Sequence, residues 1–591
     1  MLHRLLAFLV VPLLLSGCAT AQPPVSPETA TAQPVFNKGV VSAADPRAAE
    51  AGAEMLRQGG SAMDAALATL LALNVVEPQS SGIGGGGFLV FDDGKGKVTS
   101  FDGRETAPMA ADPDWFNMNG QYLSHRQAVP GGLSVGVPGN VAMMALAHGK
   151  YGKLPWSALF QPAIRLAQEG FEVTPRLHDY LERYRIDDSL PQETRELQYI
   201  SKGGPVLSPQ SRALYYEPGG EPAHVGATIR NPALASFLES LASEGTQAFY
   251  GGANAEAIAS TVSGAPSNPA PMAEADLAAY RAKERAPVCS SYRVYRICGM
   301  GPPSSGATTV IGILGLLGRF DLHALGKDDP VSWHLIAEAE RLTYADRARY
   351  LADADYVDVP VAGLIAPDYL AARSQLIARD KSVADAEPGM PAGALVAQAD
   401  TVTPDIPSTS HFVAVDRHGA VVTLTSTIEG PFGSGLMVNG YFLNNELTDF
   451  SLMPEEDGKP VANRVEAGKR PLSSMSPTLV YGPDGRLRLA IGAAGGKTIP
   501  SQVAKAIIGV LDWGLTAQDA IALPLIYAPG GDTVIVEKGS RLETMIPALQ
   551  ALGHAKVIAY QLPLKANAIE VVDRVLVGAA DPRSEGQAVS E

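Results

Sequence analysis

The stretch at residues 408–435 constrains the fold more than any other part of this 591-residue chain. A β-type run at 411–416 leads into a turn that contains Gly419, and a second run rich in β-branched residues follows at 420–429. Two such runs around a glycine-containing turn predict a β-hairpin. Thr409 stands at the head of this hairpin. If the chain were cut before it, Thr409 would carry a hydroxyl and a free α-amine, which together form a self-contained nucleophile and base.

The residues that begin at Thr409 resemble a known signature. The pattern T-S-H-x7-G-x5-T-x-T-x-E-x2-F-G is similar to that of the γ-glutamyltransferase family, whose members are also called glutathione hydrolases. Further motifs follow in family order, at residues 59–66, 84–88, 102–108, 302–306, 444–446, 470–477, 495–496 and 581–583. The resemblance therefore extends over nearly the whole chain.

The resemblance implies a fold and a maturation step. Members of this family are N-terminal-nucleophile hydrolases that cut themselves into a large and a small subunit. We therefore expect an α+β fold, a four-layer αββα sandwich in which two packed antiparallel sheets are flanked by helices. The large subunit would extend over residues 37–408 and the small subunit over 409–591, with both contributing to one fold. No metal and no organic cofactor is implied.

The same resemblance assigns the catalytic residues. Thr409 would be the nucleophile, freed by self-cleavage after Ser408. Thr427, on the return strand, is similar to the family threonine that bonds to the nucleophile. Gly495 and Gly496 are similar to the pair whose backbone N–H groups hold the oxyanion. One such donor is typically worth about 2.7–4 kcal/mol of barrier.

Both charges of a γ-glutamyl group need partners once they are desolvated. Arg104 corresponds to the family arginine that holds the α-carboxylate, for which a guanidinium fork is suited. Ser473 and Ser474 would donate hydroxyl bonds to the same carboxylate. Glu446 and Asp449 would bind the α-ammonium group.

Two departures from the family pattern affect this end of the site. Glu429 stands where many members carry Asn, and could either tighten the binding of a cation or repel Glu446 and raise its pKa. The segment at 451–469 is short and has no tyrosine, whereas many relatives have a lid whose tyrosine meets that Asn. We therefore expect an open site that is more hydrolytic or accepts bulkier amides.

The predicted function is γ-glutamyl hydrolysis or transfer on glutathione and related compounds through a threonine acyl-enzyme. One alternative is a glutaryl-cephalosporin-type acylase on the same scaffold, whose substrate lacks the α-ammonium group that Glu429, Glu446 and Asp449 would bind. A second alternative is a non-enzymatic lipoprotein that binds γ-glutamyl peptides and stays uncut.

The N-terminus predicts export. Arg4 followed by an apolar run too short to span a bilayer is typical of a signal peptide. Small residues before Cys18 resemble a bacterial lipobox, so residues 1–18 are predicted to be a lipoprotein-type signal peptide and Cys18 to be acylated; a plain secretory signal is the alternative. Residues 19–36 are polar and predict a flexible tether. We expect a periplasmic protein anchored to the outer membrane, and the net charge of −16 argues against nucleic acid as a partner.

Two further sequence features are predicted to be structural. Cys289 and Cys298 flank a run at 291–297 that reads as one extended strand, which would hold them too far apart for a disulfide, so two separate thiols are expected. His411 follows Ser410 on a strand, where neighbouring side chains point to opposite faces, so a Ser–His dyad is not expected. The ten histidines show no zinc-ligand spacing.

Overall fold

A computed structural model describes residues 34–185, 204–394, 399–400 and 408–591 of the intact chain. The predicted signal peptide with Cys18, and almost all of the predicted tether, lie outside these residues. Within the described ranges, no helix combines the length and apolar character needed to span a bilayer.

Two antiparallel sheets form the centre of the molecule. One has seven strands in the order β13-β1-β7-β8-β2-β3-β4, and the other has six in the order β12-β11-β10-β9-β6-β5. Numbered in chain order, these strands are β1 (Val40–Ala43), β2 (Gly86–Asp92), β3 (Val98–Asp102), β4 (Lys283–Arg285), β5 (Val288–Tyr292), β6 (Tyr295–Gly299), β7 (Ser410–Val415), β8 (Val421–Thr427), β9 (Thr478–Tyr481), β10 (Leu487–Ala494), β11 (Lys565–Val572), β12 (Val575–Ala580) and β13 (Gln587–Ser590).

The predicted hairpin is confirmed as β7 and β8, and its alternating side chains fill two cores. Phe412 and Ala414 pack in one core with the helix Ala62–Val76. Val413 and Val415 pack in a second core with residues of the six-stranded sheet. Because successive side chains of a strand point to opposite faces, the hairpin is buried on both sides.

Helices cover the outer face of each sheet. The helices used below are α1 (Pro46–Arg57), α2 (Ala62–Val76), α3 (Pro175–Arg183), α4 (Gly306–Leu317), α5 (Pro330–Tyr350) and α6 (Ile499–Leu511). Helix α2 packs on β7 and β8, α4 and α6 pack on the six-stranded sheet, and α5 packs on α4. Within the described ranges, the other helices of at least six residues are Asn140–Tyr151, Gln161–Glu169, Pro209–Tyr215, Pro232–Glu244, Gly252–Ser263, Glu274–Ala279, Pro367–Ser374, Ala517–Ala522 and Ile546–Ala551. The predicted αββα layering is therefore confirmed.

Helix α2 brings polar groups to the catalytic end of the hairpin. It begins at a capping box in which Ser61 and Asp64 bond to each other's backbone N–H groups. Its alanine- and leucine-rich sequence is buried along its whole length. The helix ends at Val76. The chain then places Gln79 beside Ser408, which precedes β7, and Glu77 beside Ser410, the first residue of β7.

The prediction of two separate cysteine thiols was wrong. Residues 288–299 form a hairpin rather than one strand, with Cys289 directly opposite Cys298. Their Cα atoms are 4.1 Å apart and a disulfide joins them. The chain reverses at Arg293, whose φ of 56° is left-handed. Because the reversal uses neither glycine nor proline, the sequence shows no turn signal there.

Two small β structures border the site described below. The strands Glu455–Glu456 and Lys459–Pro460 pair in an exposed hairpin inside the predicted lid segment. A three-stranded sheet consists of Ile526–Tyr527, Thr533–Glu537 and Lys556–Tyr560. It belongs with the six-stranded sheet, because Val534 and Val536 lie in the same hydrophobic core as residues of that sheet.

Candidate active site

Thr409 directly precedes β7, and the register of the hairpin places Thr427 opposite it. Ser410 pairs with Ser426, so the next step along both strands brings the two threonines together. Their hydroxyl oxygens are 3.3 Å apart. The Thr427 hydroxyl also donates to the carbonyl oxygen of Ser408 at 3.0 Å, and the Thr409 hydroxyl contacts that same oxygen. The carbonyl of the Ser408–Thr409 peptide is therefore polarised by a donor and lies next to a hydroxyl.

A buried ion pair lies beneath this peptide bond. Lys565, at the start of β11, bonds both carboxylate oxygens of Glu77, at 3.0 and 2.8 Å, and Ser410 donates to Glu77 as well. Burial alone would raise the pKa of Glu77, but the charges of Lys565 and Arg176 and the hydrogen bonds from Lys565 and Ser410 together outweigh burial, and the pKa is lowered. Burial lowers the pKa of Lys565 to about 8 despite Glu77. The pair ties α2, β7 and β11 together behind the nucleophile.

The His411 ring is fully buried and lies against Gly492 of β10. Its Nδ1 atom is 2.8 Å from the Thr425 hydroxyl, and burial lowers the pKa of the ring to about 3. The imidazole is therefore neutral, which agrees with the structural role expected from the sequence.

Arg104 is the centre of a buried group of charges. Its guanidinium contacts Glu446, bonds Asp449 at 2.5 Å, and donates to the carbonyls of Pro471 and Leu472 at 3.1 and 3.0 Å. Burial lowers the pKa of Arg104, but these carboxylates outweigh it and raise the pKa. The arginine side chain is 1% exposed and that of Asp449 is 28% exposed, so the group opens to solvent on the Asp449 side.

The carboxylates around Arg104 outnumber it, and the pKa values of Glu446 and Glu105 rise. Burial raises the pKa of Glu446 to about 7, with the charge of Asp449 adding to the shift and Arg104 opposing it. Burial and the charge of Glu446 raise the pKa of Glu105, whose carboxylate is 3.8 Å from Arg104. Such a set holds protons near neutral pH and favours a cation placed among its members.

Glu429 lies beside Thr427 in a left-handed conformation, with a φ of 73°. Its backbone N–H donates to the Thr427 hydroxyl at 2.8 Å, and its carboxylate accepts a bond from Asn445. Burial, then the charges of Asp449 and Glu446, raise its pKa well above the usual range. The repulsion expected between Glu429 and Glu446 is therefore expressed mainly as a raised pKa of Glu429.

Ser473 and Ser474 lie across the cavity from the acids. The Ser473 N–H donates to the Pro303 carbonyl at 3.0 Å. Ser474 accepts a bond of 2.7 Å from Arg347 on helix α5, and the same guanidinium bonds Ser305 at 2.9 Å. Arg347 thus fixes the Ser474 hydroxyl and brings a second guanidinium to the cavity wall.

Gly495 and Gly496 form the sharp turn between β10 and the short helical segment before α6. Their φ angles are 130° and 60°, a region that favours glycine. A Cβ atom on Gly495 would lie 2.3 Å from the Pro563 carbonyl oxygen. Only glycine therefore fits at Gly495 without a shift of the backbone.

One cavity of about 490 Å³ collects almost all of the predicted site residues. Every predicted catalytic and substrate-binding residue except Gly495 lines it, and Gly495 lines an adjoining groove that also reaches Thr409. Ser408, the predicted cleavage position, lines the cavity too, and sequence reasoning did not assign the remaining lining residues to the site: Arg347, Leu472, Met475, Lys497 and Ile499. Arg347 is the most consequential of these, and its position on a distant helix left no local signal.

Sequence spacing also missed a buried cluster of possible metal ligands on the α5 side of the molecule. His334, Glu338 and His554 place ligand atoms within 4.8 Å of one another. The two rings bond each other at 2.8 Å, and Glu338 pairs with Arg341 at 2.8 Å. The three side chains thus already satisfy one another and a neighbouring guanidinium, which accounts for their burial without an ion.

Comparison with known proteins agrees with this geometry. The family model for gamma-glutamyltranspeptidase matches residues 48–591. The chain belongs to the gamma-glutamyltranspeptidase family.

Relatives with full-length similarity carry related names. The glutathione hydrolase proenzyme of Bacillus subtilis strain 168 is 36% identical over 543 residues, covering 90% of this chain and 88% of the relative. The glutathione hydrolase proenzyme of Escherichia coli K12 is 34% identical over 591 residues, covering 97% and 96%. Among solved structures, a cephalosporin acylase from Bacillus halodurans has a TM-score of 0.80 and 27% identity, covering 96% of this chain and 98% of that one.

Within this gamma-glutamyltranspeptidase fold, the lid segment is small. Its hairpin turns through Asp457 and Gly458, with φ angles of 51° and 70°, and both strands are exposed. The side chain of Asp449, just before the segment, is 28% exposed to solvent. The Asp449 end of the site is therefore partly open to solvent in the described residues, and the expected effect of the short lid on hydrolysis or on amide size stays a prediction.

Proposed function

We propose that this chain cuts itself between Ser408 and Thr409 and then hydrolyses or transfers the γ-glutamyl group of glutathione and related compounds. The observation that carries the proposal is the meeting of the Thr409 and Thr427 hydroxyls at the Ser408 carbonyl, inside a cavity that also contains Arg104, Glu446 and Asp449. This arrangement has a nucleophile at one end and partners for both charges of a glutamyl head at the other.

Maturation follows from the contacts of the intact chain. The Thr409 hydroxyl attacks the Ser408 carbonyl carbon while Thr427 stabilises the carbonyl oxygen, and the peptide C–N bond breaks as the acyl group moves from nitrogen to oxygen. Water then hydrolyses the ester. This releases a carboxylate on Ser408 and leaves Thr409 with its hydroxyl and a free amine, whose unperturbed pKa is about 7.7–8.0.

Turnover repeats the same chemistry on the substrate. The amine of Thr409 takes the proton of its own hydroxyl as the oxygen attacks the γ-carbonyl carbon. The N–H groups of Gly495 and Gly496 would hold the oxyanion, and the amine product leaves with the proton. Water or an acceptor amine then attacks the acyl-enzyme and restores Thr409.

The glutamyl head fits the charged wall of the cavity. Glu429, Glu446 and Asp449 would surround the α-ammonium group, and this added cation would offset their mutual repulsion. The α-carboxylate would lie toward Arg104 and the hydroxyls of Ser473 and Ser474. Because Arg104 is already paired with Glu446 and Asp449, the substrate would have to share or replace those contacts.

A glutaryl acylase activity is the second candidate, favoured by the structural similarity to a cephalosporin acylase. A glutaryl group has no ammonium, so it would add no cation to Glu429, Glu446 and Asp449 beyond Arg104. Rates on γ-glutamyl-4-nitroanilide and glutaryl-4-nitroanilide decide between the two candidates. We expect faster release from the γ-glutamyl compound, and faster release from the glutaryl compound would reverse the ranking.

Cleavage is tested by the substitution Thr409→Ala. The purified wild-type protein is expected to give two bands on a denaturing gel, with the smaller chain beginning Thr-Ser-His, whereas Thr409→Ala gives one uncut band and no turnover. A wild-type chain that stays uncut would instead favour the non-enzymatic binding protein. A processed and active Thr409→Ala variant would remove the nucleophile assignment.

We also propose that the chain is exported and held at the outer membrane, facing the periplasm, by acylation of Cys18. The support is the sequence alone: an apolar run that ends in Leu-Ser-Gly-Cys, followed by a polar tether. Wild-type protein is expected in the membrane fraction with a lipid-modified N-terminus. If Cys18→Ser remains equally membrane-bound, the anchor is not at this cysteine.

A further inference from the structure

A second depression also reaches Thr409, and Arg104 does not line it. It has a volume of about 1520 Å³, open solvent included, and shares Ser408, Thr409 and Lys497 with the cavity that contains Arg104. Its walls come from helix α3, the turn at Gly495 and the three-stranded sheet that ends at Tyr560. We call this depression the basic groove.

The two linings that meet at Thr409 differ in charge. On one side the cavity combines three acids, Glu429, Glu446 and Asp449, with three cations, Arg104, Arg347 and Lys497. On the other, the charged residues among the described residues of the groove lining are all cationic: Arg176, Arg183, Lys497 and Lys565. Glu77 lies behind the groove, 2.8 Å from Lys565 and 3.9 Å from Arg176, and offsets part of their charge. Arg183, at the exposed end of α3, is not part of these ion pairs with Glu77.

Aromatic rings accompany the cations. Arg176 precedes Tyr180 in the sequence and Arg183 follows it. Their guanidiniums lie 5.3 and 5.5 Å from the centre of the Tyr180 ring. Tyr527 and Tyr560 face the same space from the three-stranded sheet, and Tyr560 is 60% exposed. Such a lining offers flat apolar surface together with positive charge.

The position of Thr409 decides what this groove can hold. During acyl transfer the carbonyl carbon lies at the Thr409 oxygen, with the acyl chain on one side and the departing amine on the other. The cavity that contains Arg104, Glu446 and Asp449 matches the glutamyl head, an assignment that rests on the proposed function. The departing amine therefore extends into the basic groove.

We propose that the basic groove is the subsite for the leaving group and that it selects amines that carry a carboxylate, with Arg183 as a specificity-determining residue. A negative charge on the leaving group meets cations there, whereas a neutral or cationic leaving group gains nothing from them. The effect should weaken with salt, because the outer end of the groove is open to solvent.

The test compares two chromogenic substrates that differ only in the leaving group. γ-Glutamyl-4-nitroanilide releases a neutral amine, and γ-glutamyl-3-carboxy-4-nitroanilide releases an anionic one. The readout is the ratio of kcat/KM for the carboxylated substrate to that for the neutral one, measured on the cleaved enzyme. We expect Arg183→Ala to lower this ratio roughly three- to tenfold, as removal of one nearby charge predicts, and Arg183→Glu to lower it further.

Arg185→Ala is the matched control. This arginine is two residues further along, pairs with Glu221 and does not line the groove, so its removal should leave the ratio unchanged. Self-cleavage of each variant into two chains reports that it has folded. A ratio unchanged in both Arg183 variants, with anilide release intact, would overturn this inference alone. Absence of release from either substrate by wild-type enzyme would overturn the proposed function and this inference with it.

Discussion

The Thr427 hydroxyl contacts two groups that take part in self-cleavage. It donates to the Ser408 carbonyl and lies 3.3 Å from the nucleophilic oxygen. We expect Thr427→Ala to slow self-cleavage by about 10²–10³-fold, the usual loss for one oxyanion donor. The appearance of the small chain on denaturing gels over time measures this rate. Thr427→Ser keeps the hydroxyl and should restore most of the cleavage rate. Equal cleavage rates for Thr427→Ala and wild type would contradict a role of this hydroxyl in cleavage.

Glu446 provides a pH prediction at the same scale. Its pKa is raised to about 7, first by burial. Above that pH the carboxylate is ionised and attracts an ammonium group, and below it the neutral acid does not. The value of kcat/KM for γ-glutamyl-4-nitroanilide should therefore fall as pH decreases through about 7. Glu446→Gln should lower kcat/KM and remove this decrease, so that only the pH dependence caused by the Thr409 amine remains. If kcat/KM of the variant still falls near pH 7, the decrease is caused by another group.

At the scale of elements, the hairpin of β5 and β6 depends on its disulfide. The bond joins positions nine residues apart, and in the chain-entropy view a closed loop of this size contributes roughly 2–3 kcal/mol. We expect Cys289→Ser to lower the free energy of unfolding in urea by up to that amount. Wild-type protein in a reducing agent should match the variant. If both cysteines react with iodoacetamide in unfolded, unreduced protein, the disulfide is absent.

The same hairpin shows where sequence reasoning stops. β7 and β8 were predictable because Gly419 marks their turn and β-branched residues alternate on either side. The turn at Arg293 uses a residue that rarely adopts a positive φ, so residues 291–297 looked like one strand. The difference lies in local backbone geometry that only tertiary context selects.

The site residues that could be predicted are those whose sequence signals lie close together along the chain. Thr409, Thr427 and Glu429 lie on one hairpin, and the glycine pair at 495–496 marks its own turn. Arg347 reaches Ser474 from a helix more than a hundred residues away in sequence, and in the sequence it resembles any other arginine of a long helix. Its role depends on how helices pack on the second sheet, which the pattern of one helix does not contain.

At the scale of the whole molecule, the two predicted subunits share both sheets. In the seven-stranded sheet, β7 and β8 of the small subunit lie between β1 and β2 of the large one. We therefore expect cleaved protein to elute from a gel-filtration column at the volume of uncut Thr409→Ala protein, and to separate only in denaturant. Separation of the two chains under native conditions would contradict this interleaved arrangement.

The edge of the first sheet joins the two ends of the folded part. β13 pairs with β1, and the N–H of Glu591 donates to the Gly39 carbonyl at 3.1 Å. A circularly permuted gene could therefore link residue 591 to residue 39 through a short peptide and start translation at codon 409. Removal of the initiator methionine would then supply the free threonine amine directly. Such a protein would need no autoproteolysis, and it would allow catalysis to be studied apart from maturation.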